Sequence, residues 1–219
     1  IVEPPAEFKA EFRRLAEHPI PGMHRYMANA GYEETREAVA AELRRETGVN
    51  VLYGDVVMTC GASGAMNIVL KTLLNPGDEV IVFAPYFVEF LGYIDNHGGT
   101  PRVVRTLRNF LPDLDKLAEA IGPQTKAVIL NSPNNPTGVV YPESLIRALG
   151  EVLCQKEAES GRQIYLISDE PYRRILFDGL VPVPVFQHYH NSVIVSSHSK
   201  DLALPGERIG YAALNPASD

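Results

Sequence analysis

Short apolar runs alternate along this chain with longer stretches in which apolar residues recur every three or four positions, and the two patterns predict strands and helices in turn. A first helix is expected over residues 7–17, with Phe8, Phe12 and Leu15 on one stripe. A loop rich in Pro and Gly follows, through Gly31. A second helix is expected over 33–46, with Val39 and Leu43 on one face and Gly48 as its stop signal. Further on, a strand at 56–59 leads to a helix at 63–74, closed by the turn Asn75-Pro76-Gly77-Asp78. The pattern then predicts a strand at 80–83, a helix at 88–96, a strand at 102–106 and a helix at 113–121. It continues with a strand at 127–130, a helix at 143–159, and strands at 164–167, 193–196 and 209–214. Residues 80–83 and 127–130 are apolar at every position, as strands covered on both faces are. This alternation implies a three-layer α/β/α domain on a mostly parallel sheet. No repeat, low-complexity tract or linker divides the chain, so residues 1–219 read as one domain. Ligands of such sheets gather beyond the carboxyl ends of the strands.

Composition narrows the partners. The net charge of -7 lacks the basic footprint that nucleic acid requires. It also gives no attraction to an anionic membrane, and no apolar run approaches the roughly 20 residues of a membrane span. Two cysteines, Cys60 and Cys154, suit a reducing compartment, so a cytoplasmic location is expected. The opening Ile1-Val2-Glu3-Pro4-Pro5 is not a secretory signal, and its lack of Met implies a natural start further upstream.

Candidate chemistry lies just after the predicted strands. Ser196-Ser197-His198-Ser199-Lys200 follows the apolar run Val193-Ile194-Val195, and Arg208 stands eight residues beyond Lys200, past the turn Pro205-Gly206. A lysine at the mouth of a buried strand, with hydroxyls before it and an arginine behind, suits an imine-forming amine beside a phosphate clamp. Gly61-Ala62-Ser63-Gly64-Ala65 joins a strand to a helix, where free N–H groups and the helix dipole favour an anion. The same turn also reads as a helix start capped by Ser63. Asp169 ends an apolar strand, where a carboxylate is costly unless paired. Two other patterns carry less. Ser197-His198-Ser199-Lys200 matches a Ser-x-x-Lys acylase pattern, but the Ser-Asp-Asn and Lys-Thr-Gly partners of that chemistry are missing. His188-Tyr189-His190 has no Cys or acidic ligand near it in sequence and reads as a polar loop, so no metal site is expected.

Taken together, Asn134-Asn135-Pro136-Thr137-Gly138, Asp169-Glu170-Pro171-Tyr172 and the segment from Ser196 to Gly210 resemble the class I/II aminotransferases, pyridoxal-5'-phosphate (PLP) enzymes of the aspartate aminotransferase fold (fold type I). The resemblance runs over nearly the whole chain. It implies a Schiff base on Lys200, with the freed amine then shuttling a proton between the substrate α-carbon and the cofactor. It implies Asp169 on the pyridinium nitrogen, and Tyr172 and Asn135 on the phenolic oxygen. The phosphate would lie on Gly61, Ala62, Ser63, Ser197 and Arg208, with Ser199 nearby. Phe87 would stack on the ring, where many relatives have Trp or Tyr; a core Phe is the rival reading. Tyr26 would reach the phosphate of a neighbouring subunit, making a homodimer with a shared site; packing on its own chain is the other reading. Substrates would be an amino acid and a 2-oxo acid. The family also carries an N-terminal arm and a C-terminal small domain, and the latter supplies an arginine for the substrate carboxylate. Residues 209–219 hold no arginine, so the chain is expected to be an incomplete large domain that turns over poorly alone. A C–S lyase or synthase of the same fold, or a silent PLP-sensing domain, shares these residues and stays open.

Overall fold

In the computed structural model, which describes residues 2–218, seven strands form one sheet. The strands are β1 (Val56–Cys60), β2 (Glu79–Ala84), β3 (Thr100–Arg105), β4 (Thr125–Asn131), β5 (Tyr165–Asp169), β6 (Ser192–Ser197) and β7 (Ile209–Leu214). The helices are α1 (Ala6–Glu17), α2 (Glu33–Thr47), α3 (Gly61–Leu73), α4 (Glu89–Asp95), α5 (Leu114–Ala120) and α6 (Glu143–Ser160). Spatial order in the sheet is β1-β7-β6-β5-β4-β2-β3, and of these seven strands β7 runs opposite to the other six.

Alternation along each strand divides the core in two. Val80, Val82, Ala127, Ile129, Ile167, Val193 and Val195 face α3 and α4, with Met66, Leu70, Phe90 and Ile94 packed on them. Ile81, Phe83, Val128, Leu130, Leu166 and Ile194 face the other way, against Leu43 of α2, Leu117 of α5 and Leu149 and Leu153 of α6. Three layers result, as the pattern of apolar positions predicts. α1 departs from the expectation in one respect. Its apolar stripe forms, with Phe8 and Phe12 in ring contact at 5.5 Å, but none of its residues is buried.

Strand β7 sets the geometry of one rim of the sheet. Because it runs antiparallel between β1 and β6, its first residues lie level with the last residues of both: Ile209 pairs with Cys60, and Gly210 with Ser197. The carboxyl ends of β1, β5 and β6 and the entry to β7 therefore share that rim. Gly210 permits this approach, since a Cβ there would lie 2.5 Å from the carbonyl carbon of Gly61 and 2.7 Å from the Ser196 oxygen.

A similar contact fixes α6. A Cβ on Gly150 would collide with the His188 carbonyl oxygen, so helix and loop approach closer than any side chain allows. Gly150→Ala is expected to cost about 3 kcal/mol through overpacking. Urea unfolding checks this, and the midpoint should fall with the slope unchanged.

Candidate active site

Helix α3 starts at Gly61, directly after β1, and no side chain caps its N-terminus. Its first-turn N–H groups therefore remain available beyond the strand end, where the helix dipole adds positive character. Gly61 has φ +74, and a Cβ there would come within 2.7 Å of Nη2 of Arg208. Only glycine lets that guanidinium lie over the first turn. Arg208 itself takes a left-handed φ of 53, uncommon for a residue with a side chain, and its Nη1 donates to the Pro205 carbonyl at 3.1 Å. Ser63 does not cap the helix, which removes one of its two readings. Its hydroxyl instead lies 2.9 Å from that of Tyr93.

Strand β5 runs on to Asp169, two residues further than the apolar pattern predicts. Asp169 is buried between Asn131 of β4 and Val195 of β6. Asn131 Nδ2 donates to the Asp169 backbone oxygen at 2.9 Å and to its carboxylate at 3.2 Å. Asn131 Oδ1 accepts the Asn135 N–H at 2.6 Å, so one side chain ties the Asn-Pro-Thr-Gly turn to the strand end. Among the described residues no Lys, Arg or His forms an ion pair with Asp169. Burial, reinforced by the neighbouring Glu170 carboxylate, pushes the Asp169 pKa up to about 7.

The next residues of this segment converge on the same rim. Tyr172 places its hydroxyl 3.5 Å from Asn135 Nδ2, and its pKa is raised by burial and then by Asp169. Lys200 Nζ lies over the Tyr172 ring, 5.9 Å from its centre. Behind them runs an ion-pair network. Arg173 pairs with Glu46 at 2.8 Å and Glu170 at 3.4 Å, and Arg174 pairs with Glu42 at 2.5 Å and Asp201 at 3.1 Å. Asp201 also meets His198 Nδ1 at 3.2 Å. Helix α2 is thereby bound to the segments carrying Asp169 and Lys200.

A single cavity of about 410 Å³ collects these groups. Ala62, Ser63, Phe87, Asn135, Asp169, Tyr172, Ser197, Ser199, Lys200 and Arg208 all line it. Gly61 stands behind Arg208 rather than in the lining. Phe87 meets Phe90 edge-on at 5.7 Å and turns part of its surface to the cavity, so it is not a wholly buried core residue. Tyr26 is not among these residues. It is fully exposed, which removes the reading in which it packs on its own chain. Glu89 and Tyr93 also line the cavity, and Asn131 organises it, although none of the three stands out in the sequence. A spacing of four residues on a helix was the only signal that could have found the first pair. His188 and His190 turn to separate carboxylates, Glu143 and Glu157.

One end of the cavity thus offers a helix N-terminus, hydroxyls and a guanidinium to an anion. The same cavity offers to a cation a buried carboxylate that has no ion pair among the described residues, and an amine stands beside them. A planar ligand with a phosphate at one edge and a protonatable ring nitrogen at the other meets both demands.

The family profile for aminotransferase class I and II matches residues 3–218. A probable aspartate/prephenate aminotransferase of Thermus aquaticus is 42% identical over 193 residues, covering 87% of this chain and 49% of that protein. The aspartate/prephenate aminotransferase of Thermus thermophilus is 38% identical over the same length, with 87% and 49% covered. Among solved structures, an aminotransferase from Eubacterium rectale superposes with a TM-score of 0.96 at 36% identity, over 99% of this chain and 55% of that one. The Thermus thermophilus aspartate aminotransferase with maleate gives 0.89 at 35% identity, over 99% and 55%. The chain spans about half the length of the curated relatives it matches.

Asp169 generates a prediction about stability. Its native pKa of about 7 lies above the ordinary 3.8, so between these values the folded chain holds a proton that the unfolded chain has released. Stability therefore falls as pH rises from about 4 to about 7 and levels off above. Asp169→Asn should remove this contribution and stabilise the cofactor-free chain by roughly 2–4 kcal/mol at pH 8, with little effect at pH 4. Urea unfolding of both proteins across that pH range checks the sign.

Proposed function

The chain belongs to the class I and II aminotransferases, and from that premise we propose that it builds the cofactor site of a PLP-dependent enzyme that moves an amino group between an L-amino acid and a 2-oxo acid. The observation that carries this reading is the buried Asp169 carboxylate, without a cation of its own, on the same cavity as Lys200 and Arg208. When bound, the cofactor supplies an electron sink for the bond changes at the substrate α-carbon.

The side chains divide that work. Gly61, Ala62 and Ser63 at the start of α3, with Ser197, Ser199 and Arg208, would hold the phosphate, the guanidinium taking two oxygens at once. Phe87 would cover one face of the ring. Asp169 would keep the ring nitrogen protonated, since a carboxylate in a desolvated site favours a cation partner strongly. Asn135 Nδ2 and the Tyr172 hydroxyl would both donate to the ring's phenolic oxygen. Lys200 would hold the cofactor covalently at rest. Once released, its Nζ would take the proton from the substrate α-carbon and return it, as a positioned general base and acid. Lys200, Asp169 and Tyr172 are the catalytic residues in this account.

The names of the curated relatives make aspartate the first amino donor to test. Among the described residues no helix is long and apolar enough to cross a membrane. A cytoplasmic homodimer is part of the proposal, with the exposed Tyr26 reaching the phosphate of the neighbouring subunit. So is the location of the substrate-carboxylate arginine in a part of the protein outside residues 1–219.

Lys200→Ala tests the reading. The unaltered protein should form a visible absorbance band with PLP that borohydride fixes on Lys200, as peptide mass spectrometry would show. The variant should form none and lose transamination at least about a thousandfold. A band of equal strength in the variant would overturn the assignment.

A further inference from the structure

Ser63 has a partner that the phosphate reading leaves out. Tyr93, on α4, accepts or donates at 2.9 Å to the Ser63 hydroxyl and also bonds the Glu89 carboxylate one turn earlier. All three residues line the cavity. Just beyond the C-terminus of α4, His97 Nε2 meets Asn67 Oδ1 of α3 at 3.0 Å, and within α3 Asn67 Nδ2 donates to the Ser63 carbonyl at 2.9 Å. The Tyr93–Ser63 bond thus spans the contact between α4 and α3.

The hydrogens in this chain can be counted. Each hydroxyl has one hydrogen to give and lone pairs to receive. A carboxylate only accepts, so the Tyr93 hydrogen goes to Glu89, and the Ser63 hydrogen is the one left for the bond between the two hydroxyls. The Tyr93 pKa, raised to about 12 by burial first and by Glu89, keeps that phenol a donor. An anion in the Ser63 turn also only accepts. If Ser63 donates to it while Tyr93 still donates to Glu89, two oxygens 2.9 Å apart face each other with no hydrogen between them. Two hydroxyls in contact cannot serve an acceptor at both ends.

We propose that Glu89, acting through Tyr93, competes with the cofactor phosphate for the hydroxyl hydrogens of this relay, so that phosphate binding reverses the Tyr93–Ser63 hydrogen bond and releases Glu89. This rests on the PLP reading of the site. Glu89 is exposed and free to swing outward once released. Tyr93 then donates to Ser63, Ser63 donates to the phosphate, and each hydroxyl is satisfied. Tyr93 is a positioning residue in this scheme, and Glu89 sets the phosphate affinity through it.

Glu89→Gln provides the test, because a glutamine amide can donate to the Tyr93 oxygen and lets the whole relay point toward the phosphate. Equilibrium binding would be followed by absorbance and fluorescence for PLP and for pyridoxal, which lacks the phosphate. Thermal melts would confirm that each variant is folded. Glu89→Gln is expected to tighten PLP about tenfold, the scale of one charge-assisted hydrogen bond, and to leave pyridoxal unchanged. In a Tyr93→Phe background the same substitution should give no more than a small gain, since the relay is cut. An unchanged PLP affinity would overturn the proposal. So would an equal gain for pyridoxal, or the same tenfold gain without the Tyr93 hydroxyl, which would mean a through-space charge effect. If the unaltered protein binds PLP through Lys200 and Glu89→Gln changes nothing, the relay alone falls. If it forms no borohydride-fixed bond to Lys200, the PLP reading falls with it.

Discussion

A carboxylate buried without a cation is the constraint around which this site is arranged. The sheet encloses Asp169 between β4 and β6, and Asn131 gives it one hydrogen bond, which is less than an ionised carboxylate asks for. Its raised pKa states the same fact in another form: the fold holds the group closer to neutrality than water does. A folded chain tolerates such a cost where a ligand offsets it, and the ligand must then bring positive charge to that point. The anion-binding features stand at the same cavity. One molecule that carries both charges would meet both demands.

The neighbouring Glu170 shows how differently two adjacent carboxylates can be treated. Its side chain accepts from Ser168 at 2.6 Å and pairs with Arg173, which in turn reaches Glu46 of α2. Buried pairs of this kind are weak evidence for stability, because desolvation offsets most of the attraction. Their value here is geometric. Arg174 reaches Glu42 on the same helix and Asp201 beside Lys200, so ion pairs link α2, the Asp169 segment and the Lys200 turn. Removing one partner would leave a buried charge uncompensated and disturb all three.

Much of this architecture is legible in the chain itself. Strand and helix alternation predicts the three layers, because short runs that are apolar at every position stand apart from longer stretches with a three-to-four-residue apolar period. The polar residues that close apolar strands, Asp169 and the Ser197 to Lys200 stretch, announce the rim where ligands gather. What stayed hidden depends on contacts between distant segments. Residues 209–214 are expected to be a strand, but nothing in them says that it lies antiparallel between β1 and β6, and that orientation is what brings Arg208 to Gly61. Ser63 could be a cap or an anion ligand, and only the approach of Tyr93 from α4 shows that its hydroxyl is engaged elsewhere. Tyr93 and Glu89 look like ordinary positions on an amphipathic helix until the helix is docked. The failure of α1 to bury its stripe was likewise beyond reach, since periodicity gives the face and not its partner.

Among the described residues Asp169 has no cation of its own, and the protonation state of its carboxyl tests most directly whether the ligand supplies one. Isotope-edited infrared or carbon NMR spectra of Asp169, recorded near pH 6 with and without PLP, would read it. The carboxyl should be largely protonated without the cofactor, as a pKa of about 7 requires, and ionised when PLP is bound. An Asp169 carboxylate that is ionised at that pH without the cofactor, or that PLP leaves unchanged, would contradict the account.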